Sequence, residues 1–375
     1  EPEDSGTQAY PISYTAYQDE VPLLDGGRCI TGWRPADEGQ SGMASTARGK
    51  VWVARIPKGW RFKQLFFNGR ALPRSASEDD SDWHMWKTAR LGKSQRTLTV
   101  PPVDLKGAGD CRNADLNCLT TPYTYWANAL VPVTRMDAKR GSIGFAPMWV
   151  HRPEVLKEIP YRLENLLLGI RREGQWYVDS RMGNIYLWPL GNEDPNAVTI
   201  TAPYLCEAIR IEGDPNKDRW VRHITLHGLS VVHANLSPHI ADESQSAFDA
   251  RDAAILLSGI EDCAIERCRI YHVSGGAIKA NGHVQRVAVK GCEIADCGGY
   301  GIHFSGGLAV PEAPCAHNRI SGNHIHHCGR LFWHSNGIGL GMSERSVVCN
   351  NDIHDMPYVG VGTGGVRHLQ FANWP

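Results

Sequence analysis

No stretch of this chain is apolar for long enough to cross a bilayer as a helix, so no membrane span is expected. Net charge is missing as well: 39 Lys and Arg oppose 40 Asp and Glu, a formal charge of −1 over 375 residues. Such a chain carries no field that would gather nucleic acid or anionic lipid, and neither is expected as a partner. Cys-x-x-Cys pairs with zinc spacing are absent, and most of the 11 cysteines do not read as a disulfide framework. Only Cys111 and Cys118, in a polar loop, have the spacing for a bridge, and two reduced thiols fit that spacing equally well. No signal peptide precedes Glu1, but strand-like sequence stands near both ends, at Pro11–Tyr17 and Val359–Thr363. The expectation is therefore of material lacking at both ends, and the missing leader says little about location.

What is present is a repeat. From residue 220 onward four segments align: Ile265–Ile270, Val289–Ile294, Ile320–Ile325 and Val348–Ile353. An earlier copy reads Ile224–Leu229, and a second strand follows each later copy, at Ile278, Ile302, Ile338 and Val361. From Ile255 the intervals are 23, 24, 36 and 23 residues, and the loop Leu308–His317 accounts for the long one. Repeats this short cannot hold two helices, and the 3.6-residue spacing of a helix is missing from them. They do hold short alternating strands broken by Gly, Asn and Asp turns. Such a coil cannot bury its own apolar face, so coils stack strand on strand. The fold class that follows is all-β, a right-handed parallel β-helix. Equivalent residues then form ladders one strand spacing (~4.8 Å) apart. His227, Cys268, Cys292, Asn323 and Asn351 read as one column, and Cys297 with Cys328 as part of another, which explains the cysteines as packing residues.

Between residues 36 and 196 the repeat disappears. Aromatic-rich strands (Val51–Ile56, Phe62–Phe67), a turn at Asn68-Gly69 and a hairpin over Trp176–Trp188 replace it. The reading is of first coils over 1–35, an inserted mostly-β subdomain over 36–196, and the main β-helix over 197–375. The 12 tryptophans include Trp83, Trp86 and Trp126 in loop-like sequence of the insert, where a sugar cleft is one use for them. Trp176 and Trp188 lie on paired strands and are expected to hold the subdomain together.

The run Lys50–Pro57 with Gln64–Arg70, and Glu164-Asn followed by Gly174–Asp179 and Gly183–Pro189, resemble the inserted subdomain of bacterial β-helical glycoside hydrolases. The coils Ile294–Ile302 and Ile353–Val361 are also similar to theirs. The resemblance is to the families numbered 120 and 141, which include β-xylosidase and α-fucosidase activities. It implies a secreted or periplasmic enzyme acting on plant or microbial polysaccharide or oligosaccharide, with no cofactor.

Glycoside hydrolysis needs two carboxyl groups flanking one bond. Coil alignment nominates a column: Asp249, His272, Asp296, His327 and Asp355. Asp296 and Asp355 are two coils apart, ~9–10 Å, near the upper end of the range that leaves room for a water. They are the expected catalytic pair, with His327 between them to orient a water or tune a carboxyl. A turn role for the same residues also fits, since Asp after a strand commonly caps a bend. Lys279 and His303 are expected to stack on neighbouring coils, and Trp333 and His334 to face a sugar or cover the core. Glu344 is a reserve carboxylate or a solvated turn charge. His324, His326, His327 and His354 raise the question of a metal, but alternation puts only two of the first three on one face. No Cys or carboxylate clearly completes a set, so no metal is expected. Two other functions remain open. A lyase or epimerase would use Lys279 or His303 as base, and a non-catalytic glycan-binding helix would tolerate loss of every carboxylate.

Overall fold

The computed structural model describes residues 1–37, 39–77, 87–94, 96–105, 111–121, 126–148, 158–237, 243–245, 253–306 and 315–364. Among them the helical segments are 3-10 turns of three or four residues, and strands form the rest of the regular structure. The chain divides into two compact units, one of Glu1–Gly27, Leu205–Ile240 and Gln245–Pro375, the other of Arg28–Tyr204 with Ala241–Ser244. The expected boundaries at 35/36 and 196/197 therefore fall inside the second unit. Antiparallel pairing draws them in: Arg34–Pro35 pairs with Trp52–Arg55, and Ile200–Pro203 pairs with Phe66–Phe67.

In the first unit three parallel sheets run side by side along the stack. Sheet 1 contains Ile209–Glu212, Ala253–Glu261, Gly276–Gln285, Ile302–Ser305, Asn336–Gly341 and Val359–Gly364. Sheet 2 contains Ile12–Thr15, Ile224–His227, Ala264–Glu266, Ala288–Lys290, Arg319–Ser321 and Val347–Cys349. Sheet 3 contains Leu23–Asp25, Ser230–Val232, Arg269–Tyr271, Glu293–Ala295, His324–His326 and Asp352–His354. Each coil visits them in that order, so like residues stack in register. Ile255, Ile278, Ile302 and Ile338 form one wholly buried ladder, and Ile270, Ile294 and Ile325 another. Burying each such side chain contributes about 1.5–3 kcal/mol, and no coil obtains it alone.

Corners between sheets use residues in the left-handed backbone region. After sheet 3 these are His233, His272, Asp296, His327 and Asp355, and before sheet 2 they are His223, Asp262, Arg286, His317 and Arg345. Asp, His and Asn tolerate positive φ better than other side chains, whereas β-branched residues do not. One register differs from expectation. Leu226, not Ile224, pairs with Ile265, so His227 stacks on Glu266, and Leu229, next to the pair Ser230–Arg269, comes level with Cys268. An apolar period of two fits both registers. The choice is made by Gly228, at φ 68° in the corner, and by Val231 packing over Ile270.

The second unit is antiparallel. Its largest sheet joins Lys87–Leu91, Thr97–Thr99, Asp115–Leu119, Ala127–Asp137, Ser142–Phe145, Glu158–Glu164 and Glu243–Gln245. The expected hairpin forms from Trp176–Asp179 and Asn184–Leu187. Trp176 is fully buried and stacks on Phe62 at 5.5 Å, while Trp188 packs in a neighbouring cluster. Trp83 and Trp86 lie outside the described residues. No disulfide joins Cys111 to Cys118, nor any other pair among the described residues. Cys118 sits in mid-strand with its Sγ 3.7 Å from Met148 Sδ, in the core against which Cys111 also packs.

Candidate active site

The residues singled out by coil spacing fall into two groups. His272, Asp296, His327 and Asp355 each follow the last residue of a sheet 3 strand and share the left-handed corner. That conformation alone accounts for the recurrence of Asp and His there, and the corner before sheet 2 shows the same preference. What distinguishes the sheet 3 corner is its side-chain contacts. Asp296 accepts from Arg330 Nη2 at 3.1 Å, and Asp355 accepts from His354 Nδ1 at 2.7 Å, with His327 Nε2 at 3.6 Å. The side chains of Asp296, His327 and Asp355 are 39, 38 and 60 % exposed, so all three reach solvent. The hydrogen bond from His354, helped by the charge of His327, holds the Asp355 carboxyl below the usual carboxylate range. Asp355 is thus held ionised, which suits it to activate water rather than to donate a proton.

His272 is less open. Its ring stacks on His233 at 6.1 Å and meets Tyr271 edge-on at 5.1 Å, and burial lowers its pKa despite the opposing charge of Asp296. His233, whose Nδ1 lies 2.8 Å from Asp25, is the member of this column in the preceding coil. Counting back from Ile255 gave Asp249 instead, because a long excursion separates His233 from sheet 1. Asp249 lies outside the described residues.

The second group lines the outer face of sheet 1. Lys279 and His303 are register partners, as expected, and both are almost wholly buried. The Tyr300 ring lies 5.3 Å from His303, and Gly339 follows His303 in register. A Cβ at Gly339 would stand 2.6 Å from His303 Nδ1, so the imidazole lies where a side chain would otherwise be. His334 and Ser335, both buried, lead into Asn336, whose amide lies over Gly362 in the same way. Trp333 is half-buried. Glu344 is elsewhere, exposed on the short strand Ser343–Glu344 that pairs with Cys315–Ala316.

Sequence reasoning picked out the histidines of sheet 3 and the alignment of His326 with His354, but missed Asp352 beside them. His324 pairs in register with Asp352, and His326 with His354, so four polar side chains share one outer face while Ile325 and Ile353 point inward. His326 and His354 stack at 5.1 Å with 2° between ring planes, and His326 Nδ1 meets His327 Nδ1 at 2.8 Å. Burial, and then the neighbouring imidazoles, lower the His326 pKa. The signal was in the sequence as His-Ile-His over Asp-Ile-His in consecutive coils.

Comparison with known proteins agrees with this architecture. A family model described as "Right handed beta helix region" matches residues 253–373. The fold is a right-handed parallel β-helix. A solved structure named "Glycoside hydrolase" superposes with a TM-score of 0.77 over 97 % of this chain and 69 % of its own, at 22 % identity. A second, "The complex structure of XylC with xylose", gives 0.53 over 96 % of this chain and 52 % of its own, at 15 % identity. No curated protein matches the sequence. At these identities the likeness is one of fold.

Proposed function

We propose that the chain is part of a glycoside hydrolase that uses Asp296 and Asp355 as its carboxyl pair on a plant or microbial glycan. The observation that carries the reading is the arrangement of Asp296, His327 and Asp355 on three consecutive coils, all open to solvent, in a fold shared with a structure named as a glycoside hydrolase. Two strand spacings, ~9–10 Å, separate the carboxylates, which suits a water between sugar and base and hence inversion. Asp355 is the base, with His354 keeping it ionised and His327 beside it to orient the water. Asp296 is the acid. Its carboxyl, 39 % exposed, is open to the leaving-group oxygen of a bound sugar. A secreted or periplasmic location suits such a substrate. A lyase is the second reading. It is favoured by the stacked Lys279 and His303, with Tyr300 alongside, as candidate bases.

The test offers aryl glycosides and cell-wall polysaccharides to the chain while following reducing ends and the ultraviolet absorbance of unsaturated sugars. New reducing ends without absorbance, lowered at least about 100-fold in Asp296→Asn and Asp355→Asn, are the expected outcome. Absorbance that survives both substitutions and is lost in Lys279→Met or His303→Ala would make the lyase reading the right one. Glycan binding without any product, unchanged in the variants, would remove catalysis from this chain.

A further inference from the structure

The grid on the outer face of sheet 3 has the make-up of a metal site. His324, Asp352 and His354 each bring one donor atom within 4.8 Å of the others. They come from two coils stacked in exact register pairs, His324 on Asp352 and His326 on His354, so rigid strands fix their spacing. His324 Nε2 and His354 Nε2 face one another at 2.9 Å. The other nitrogen of His354, Nδ1, lies 2.7 Å from Asp355 Oδ2. A carboxylate only accepts, so Nδ1 carries the proton and Nε2 of the neutral ring presents a lone pair. This is how a carboxylate behind a ligating imidazole fixes its tautomer and raises its basicity.

We propose that His324, Asp352 and His354 bind a divalent first-row transition-metal ion, with Asp355 as the outer partner of His354. With metal–nitrogen bonds of about 2.0–2.1 Å, nitrogens 2.9 Å apart subtend about 90° at the ion. That is the angle between adjacent ligands of an octahedral or square arrangement, and two imidazoles with a carboxylate oxygen suit Ni²⁺ or Cu²⁺. Water fills the remaining positions, since His324, Asp352 and His354 are all exposed. A plain hydrogen bond from His324 Nε2 to His354 is the competing account of the 2.9 Å contact. Asp352 argues for the cation, because its carboxylate stands within 4.8 Å of both nitrogens yet is hydrogen-bonded to neither. The site shares His354 and Asp355 with the glycosidase reading, but it is measured without activity, so the two can fail separately.

Tag-free chain, stripped with chelator, is titrated calorimetrically with Ni²⁺. Saturable binding of one ion is expected, weakened more than 100-fold in His324→Ala and in His354→Ala and by about 10–100-fold in Asp355→Asn. His327→Ala, which leaves the three ligands in place, should bind as the parent does. Thermal unfolding in chelator confirms that each variant folds, and Ni²⁺ should raise the midpoint of the parent but not of His354→Ala. Absence of saturable binding, parental affinity in His324→Ala or in His354→Ala, or a loss in His327→Ala as large as in His354→Ala would each overturn the assignment.

Discussion

Asn323 shows how a corner of this solenoid is held by one side chain. Its Oδ1 accepts from the Cys292 amide at 2.9 Å, and its Nδ2 donates to the Val289 carbonyl at 3.1 Å. Asn351 repeats the motif one coil on, bonding the Asn323 amide and the Ile320 carbonyl at 3.0 Å each. These backbone groups turn away from the sheets at the corner, and burial denies them water. Truncation therefore leaves both a donor and an acceptor unmet, each costing about 1–3 kcal/mol. Asn323→Ala should lower stability by about 2–4 kcal/mol in a denaturant titration, while the exposed corner substitution Arg345→Ala should change it by less than about 0.5 kcal/mol.

At the scale of the strand, the outer face of sheet 1 depends on glycine. His303 lies over Gly339 because nothing projects from that position, and the sequence records this only as one Gly among several in Asn336–Gly341. Gly339→Ala should force the imidazole off its rotamer at a cost of about 1–3 kcal/mol, readable as a lower unfolding midpoint with the fold retained. The stacking of Lys279 on His303 was legible from coil spacing, since sheet 1 keeps an unbroken period of two. The recess beneath His303 was not, because glycine in a repeat reads as a turn. Likewise the corner Asp and His column was legible as a column, but its left-handed backbone, which explains those residue types, has no mark in a linear alignment. His227 falls in another column than expected because its strand offers two equivalent apolar registers, and the corner glycine and Val231 choose between them. Of the two readings open for Cys111 and Cys118, reduced thiols are the one found, with Cys118 in mid-strand rather than in a loop.

Over the whole molecule the two units draw stability from different sources. The first relies on stacked aliphatic ladders; the second adds a buried charge network to its apolar clusters. In the second, Arg74 donates to Asp115 at 2.6 Å and to Glu164 at 3.4 Å, with Lys63 3.2 Å from Asp115 and Arg162 beside Glu164. Burial pushes both carboxyls up, but the adjoining cations outweigh it and hold both below their ordinary range. A carboxyl with a depressed folded pKa contributes stability above its unfolded value, about 4, and loses it as pH falls through the folded value. The second unit should therefore keep its unfolding midpoint down to about pH 4 and weaken below that. Arg74→Met removes the shared partner, should cost about 3–5 kcal/mol at neutral pH, and should move the onset of acid unfolding upward. Calorimetry across pH would show both effects. A Met variant as stable as the parent would mean that Lys63 and Arg162 suffice.

The buried cysteines give the solenoid a property unrelated to its surface. Cys263 and Cys268 belong to one coil, Cys292 and Cys297 to the next, and Cys315 and Cys328 to the one after, all six sealed from solvent. An alkylating reagent meets a given pair only when that coil parts from its neighbours. The order in which the three pairs acquire label would then be a timetable of how the stack comes undone, written along its axis by residues that take no part in its chemistry.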